Sequence, residues 1–185
     1  MATEGHEPPY DRRFLQLIYR VPSHPSRSRV AVWRELKRLG AVYVQQAVCV
    51  LPEREGVREL LDRVRERIDH MGGESMLFVL DHVEDRERHF LVSAFRENSA
   101  KEYAEVVEEC EALLQGRAEA GEGDRTAERA EELRQDLDRL RRLLQKVEER
   151  DWMGGSGRAE AHGKVAECER MLVRLSAGSA ETAGL

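Results

Sequence analysis

The chain has 185 residues, of which 41 % are apolar, 36 % charged and only 5 % aromatic, enough for one ordinary domain and a solvated helical extension. Its net charge of −6 excludes a surface coated throughout by nucleic acid. The charge is uneven, however: residues 1–40 hold eight Lys/Arg against four Asp/Glu, so the acidic excess lies beyond them, and a basic front on an acidic body can grip phosphate locally.

No run of eighteen apolar residues is present, and the start MATEGHEPPYDRR has no apolar signal segment, so a cytoplasmic protein with no membrane partner is expected. Cys49, Cys110 and Cys168 are odd in number and far apart. That spacing predicts reduced thiols rather than a disulfide framework or a zinc site.

Residues 1–11 lack periodicity and read as a disordered arm. Phe14 to Val21 is apolar and β-branched enough for a buried strand, ended by Pro22, which has no ladder donor. After the basic loop SHPSRSR the spacing turns helical from Ser28. Val32, Leu36 and Leu39 share one face, Arg34, Lys37 and Arg38 point elsewhere, and Gly40 supplies the stop. Ala41 to Val44 and Ala47 to Leu51 read as strands separated by Gln45 and Gln46 and closed by Pro52. A helix is predicted over Glu53 to Met71, from the apolar positions 57, 61, 64, 68 and 71, with Gly72-Gly73 behind it and a fourth strand at Ser75 to Val83. The fold class is therefore α+β: a ferredoxin-like βαββαβ domain over residues 12–83, with both helices on one face of an antiparallel sheet.

A helical extension is expected over residues 84–177. Arg86 to Leu114 reads as a helix with Phe95, Tyr103, Val106, Cys110 and Leu113 on one side, bent near Asn98-Ser99, where short polar side chains compete for the backbone. A loop at Gly116 to Gly123 follows. Thr126 to Trp152 carries Leu133, Leu137, Leu140, Leu144 and Val147 at heptad spacing, and Arg158 to Leu175 repeats the device with Ala161, Val165, Cys168, Leu172 and Leu175. Short glycine-rich loops favour antiparallel neighbours, so a three-helix bundle or helical hairpin is expected, then a disordered tail over residues 178–185.

The stretch YRVP, a basic Ser/Arg loop and VAVWRELKRLGAVYVQQAVCVLP resembles the amino-terminal domain of the chromate-resistance regulator ChrB. The resemblance continues through ENSAKEYAEVVEEC (Glu97 to Cys110) and LRRLLQKVEERDW (Leu140 to Trp152). More distantly, the first segment is similar to the middle domain of PaaX-type repressors and to small CRISPR-associated nucleases. The resemblance implies a transcriptional regulator or accessory protein of chromate resistance, with operator DNA as partner. Full-length relatives carry a further carboxy-terminal domain, so effector sensing is expected from a separate protein. The nucleases have an Asp after the strand tyrosine, where this chain has Arg20; an arginine cannot ligand a hard cation, which disfavours a divergent metal-dependent nuclease.

The expected nucleic-acid contacts are Arg12, Arg13, Arg20, Arg27, Arg29, Arg34, Lys37 and Arg38. Arg27, Arg34 and Arg38 share a helix face by their spacing of seven and four, although no helix-turn-helix is recognisable. Trp33, Tyr43, Gln45 and Gln46 sit in the most recognisable part of the pattern. Trp33 is expected in the core or in a dimer seam, and the glutamines at a sheet edge open to pairing. With Leu137 and Leu144 on the heptad seam they form the expected interface of a homodimer. Six histidines make no metal constellation, the cysteines on apolar seams are inert, and Asp151 at a helix end is expected to cap or pair with a neighbouring Arg. A non-enzymatic protein without metal or cofactor is therefore expected. The rival reading is a pure interaction module that recruits a partner through Leu133 to Val147 and Val165 to Leu175.

Overall fold

The computed structural model describes residues 13–22, 26–119 and 126–182. The elements are β1 (Phe14–Arg20), α1 (Ser26–Arg38), β2 (Val42–Gln45), β3 (Val48–Pro52), α2 (Val57–His70), β4 (Glu74–Leu80), α3 (Asp85–Glu119), α4 (Thr126–Glu149) and α5 (Arg158–Thr182). The sheet order is β2-β3-β1-β4 with every pair antiparallel, which is the ferredoxin-like arrangement expected. Two compact units divide between Phe95 and Arg96.

In the first unit, strand alternation builds the core. Leu15 and Leu17 on β1 and Cys49 and Leu51 on β3 are fully buried on one face, as are Val32 and Leu36 of α1 and Leu61 and Ile68 of α2. Each such leucine contributes roughly 1.5–3 kcal/mol by leaving water. α1 and α2 close alike. Gly40 and Gly72 take left-handed φ values of 76° and 71°, and the next residues, Ala41 and Gly73, donate back to Leu36 and Ile68 at 3.1 and 2.9 Å.

On the opposite sheet face the Phe14 ring stacks on Phe95 at 6.4 Å and 9°, and Leu91 is buried. The first turns of α3 therefore belong to the sheet's core, and the division of units falls inside this helix rather than at Glu84. α2 begins at Val57, not Glu53, because the Glu53 N–H donates to the Arg13 carbonyl at 3.1 Å and prolongs the strand ladder, while Gly56 turns at φ 78°. β4 stops at Leu80, short of the expected Val83.

In the second unit, Tyr103, Val106 and Cys110 of α3, Leu137, Leu140, Leu144 and Val147 of α4, and Ala161, Val165 and Cys168 of α5 share one core. This corrects the expected dimer seam: Leu137 and Leu144 are 0 % and 5 % exposed, spent on the chain's own helices. α3 is continuous through Asn98-Ser99 and runs past Gly116 to Glu119, so the expected loop is helical in its first part; residues 120–125 lie outside the described residues. Ser99 is buried where Gly155 passes, and a Cβ at Gly155 would sit 2.5 Å from that of Ser99. Asp151 has partners other than the expected helix end or neighbouring Arg: Oδ1 accepts the Gly155 N–H at 2.8 Å and Oδ2 the Tyr103 hydroxyl at 3.1 Å. α5 continues to Thr182, so the tail read as disordered from residue 178 is helical to that point; residues 183–185 and the arm 1–11 lie outside the described residues. Among the described residues no helix is long and apolar enough to cross a membrane.

Leu137→Ala is expected to lower the unfolding free energy by about 2–5 kcal/mol in a denaturant titration, whereas a leucine displayed on a surface seam would cost less than about 0.5 kcal/mol.

Candidate nucleic-acid interface

Val32 and Leu36 anchor α1 to the core, which turns the opposite side of the helix outward. On that side Arg27, Arg34 and Arg38 are exposed, and Arg29 is exposed on the first turns. The first turn of α1 contains no acid, so the positive end of its dipole is uncompensated. Glu35, the only carboxylate on α1, is engaged by Arg67 of α2 at 3.0 Å. Among the described residues no ion pair engages Arg27, Arg29, Arg34 or Arg38.

The other predicted cations stand differently. Arg13 meets Glu53 at 3.0 Å and Asp81 at 4.0 Å, so carboxylates answer its charge. Arg20 pairs with Glu74 across β1 and β4 at 3.0 Å, with the two side chains 78 % and 75 % exposed; such a pair is worth at most about 1 kcal/mol and exchanges readily for another anion. Lys37 lies over the Tyr43 ring at 5.9 Å, a cation–π contact that joins the end of α1 to β2. Arg12 lies outside the described residues.

Beside α1 opens a cleft of about 730 Å³. Its floor is the Tyr19–Tyr43 pair, whose hydroxyls are hydrogen-bonded at 2.9 Å. Burial raises the pKa of both phenols, and for Tyr43 the bond to Tyr19 adds to the rise, so both stay protonated at neutral pH. Trp33 forms one wall. It is 47 % exposed, so of the core and dimer-seam positions expected the core one is not taken; Trp33 stands about 100° round α1 from Val32. Gln45 and Gln46 form the other wall, at the turn where Ala47 adopts φ 61° and accepts the Tyr19 N–H at 3.0 Å. Arg20 and Arg29 rim the cleft, and among the described residues no carboxylate lines it.

The structure thus gathers Trp33, Tyr43, Gln45 and Gln46 with Arg20 and Arg29, and leaves Leu137 and Leu144 apart in the helical core. Tyr19, Val30 and Ala47 also line the cleft and were not anticipated. For Tyr19 a signal existed, since alternation from Leu15 and Leu17 puts it on the helix-covered face at the strand's end.

Other chemistry finds little footing. All three cysteines are buried and free; burial pushes Cys49 and Cys110 up to about 12 and raises Cys168. Among the described residues no group of three or more His, Cys, Asp or Glu could hold a metal ion. His70 and His89 approach carbonyls one turn earlier, at 2.6 Å each, and His162 meets Glu148 at 2.8 Å.

The family described as protein ChrB, N-terminal, matches residues 29–179, a span that takes in most of α1, the Gln45-Gln46 turn and nearly all of the helical unit. No curated protein sequence matches the chain.

The buried thiols carry a prediction. A raised pKa keeps the proton on in the folded state, so stability is unaffected below about pH 9 and falls as pH rises from there towards about 12. At pH 8 a thiol-specific reagent is expected to label the native protein at least about a hundredfold more slowly than the denatured one.

Proposed function

This chain belongs to the ChrB N-terminal domain family, which is associated with chromate resistance, and on that premise we propose that it is a non-enzymatic regulator that binds DNA through α1. The observation that carries the reading is the set of exposed guanidinium groups at Arg27, Arg29, Arg34 and Arg38, without an ion pair among the described residues, on one short helix anchored to the sheet. Cations without carboxylate partners are what a phosphate backbone needs, since binding then exchanges condensed counterions and breaks no protein ion pair. Arg20, loosely held by Glu74, extends the same basic region at the rim of the cleft.

The regulator acts, in this reading, as a cytoplasmic homodimer. Support for a second copy comes from the edge strand β4, where Met76 and Phe78 are 55 % and 44 % exposed. The leucine seams lend none, because they are internal, and the interaction-module reading loses its recruiting surface with them.

A salt titration of binding to the DNA upstream of its own gene tests the proposal. With about four phosphates engaged, the logarithm of the binding constant is expected to fall with the logarithm of salt at a slope of about −3 to −4. Arg34→Ala and Arg38→Ala are each expected to reduce that slope by about 1. Absence of binding at low salt would contradict the reading.

A further inference from the structure

The cleft beside α1 has features that phosphate contact alone does not require. A phosphate groove needs cations; this one also presents an exposed indole face at Trp33 and two primary amides at Gln45 and Gln46, over a floor fixed by the Tyr19–Tyr43 hydrogen bond. With Arg20 and Arg29 at the rim, and no carboxylate among the described lining residues although Glu74 pairs with Arg20 from β4, an anionic occupant is favoured. At about 730 Å³ the space falls within the range of roughly 300–1,000 Å³ typical of small-ligand pockets and is large enough for a single nucleotide.

We infer that the cleft holds one unstacked nucleotide of single-stranded DNA, its base against Trp33, its hydrogen-bonding edge at Gln45 and Gln46, and its phosphate at Arg29. Each feature then has a role. An indole stacks on any base through its π-face. A side-chain amide offers a donor and an acceptor together, matching the paired groups on a base edge. Arg29, without an ion pair among the described residues, meets the phosphate first, and Arg20 can exchange Glu74 for it. One floor phenol donates to the other, which keeps a hydroxyl proton of its own, so the glutamines supply the paired donor and acceptor and the floor can add one further donor. A base can enter only where the strand is already open or single, so the cleft distinguishes melted or single-stranded DNA from closed duplex. The inference rests on the proposed DNA-binding role and names the form of DNA this part of the surface selects.

The test uses the full chain at low salt, with a 5′-labelled oligothymidylate and a labelled blunt duplex of equal length, read by fluorescence anisotropy. Trp33→Ala is expected to weaken oligothymidylate binding about tenfold or more and to leave duplex affinity within about twofold. Oligothymidylate is expected to quench tryptophan emission in the native chain, and that quench is lost in Trp33→Ala. Because Trp33 is half exposed, the variant should fold, which circular dichroism checks; Gln46→Ala, with the indole intact, should also weaken the single strand selectively. If Trp33→Ala binds oligothymidylate as the native chain does while Arg34→Ala weakens both DNAs, the nucleotide cleft is refuted and the DNA-binding role stands. If neither DNA binds the native chain, both fall.

Discussion

The double pairing of β1 is the constraint on which the rest depends. The strand is hydrogen-bonded to β3 on one side and β4 on the other, with Leu15 and Leu17 buried beneath the helices and Phe14 stacked on Phe95 across the sheet. A strand held on both edges and both faces cannot shift register by one residue without turning its whole apolar set to the wrong side. Its far end therefore delivers Tyr19 and Arg20 to a fixed place. α1, held by Val32 and Leu36, must present its arginines and Trp33 outward next to them.

Charge is handled differently in the two units. Along the helical unit, cations are largely answered by acids on neighbouring helices: Arg139 by Glu109 at 2.9 Å, Arg141 by Glu169 at 2.7 Å, Lys164 by Glu111 at 2.9 Å and Arg150 by Glu102 at 2.6 Å. These pairs are exposed or half exposed, contribute little stability individually, and leave little free positive potential. On α1 the only acid is turned to Arg67, and four guanidinium groups have no ion pair among the described residues. A protein of net negative charge thus carries a basic stretch on α1, which favours contact with a polyanion there over general adhesion.

Much of the fold is legible in the sequence, because period and punctuation agree: alternation in β1 and β3, the 3.6-residue period in α2 and the heptads in α4, with Gly40 and Gly72 as stops. The exceptions have local physical causes. Glu53 looks like the start of a helix, but its N–H is claimed by the Arg13 carbonyl, a contact 40 positions away in the chain that no local pattern announces. Gly116 looks like a break, yet a glycine inside a helix costs only about 1 kcal/mol relative to alanine, and α3 carries it. A heptad specifies an apolar stripe but not whose helix covers it, and Leu137 and Leu144 are covered from within. The cleft was half legible. Its basic, indole and glutamine members belong to recognisable stretches, but their convergence with Tyr19 depends on sheet register and on the left-handed turn at Ala47.

The most direct measurement of the central claim is residue-resolved: amide and side-chain NMR shifts of the isotopically labelled full chain, recorded as DNA is added. The account predicts perturbations concentrated on α1 from Arg27 to Arg38, the Trp33 indole N–H and the side-chain amides of Gln45 and Gln46, with the core residues of α4 and α5 unmoved. Perturbations centred on α4 and α5, with α1 and the cleft silent, would contradict it.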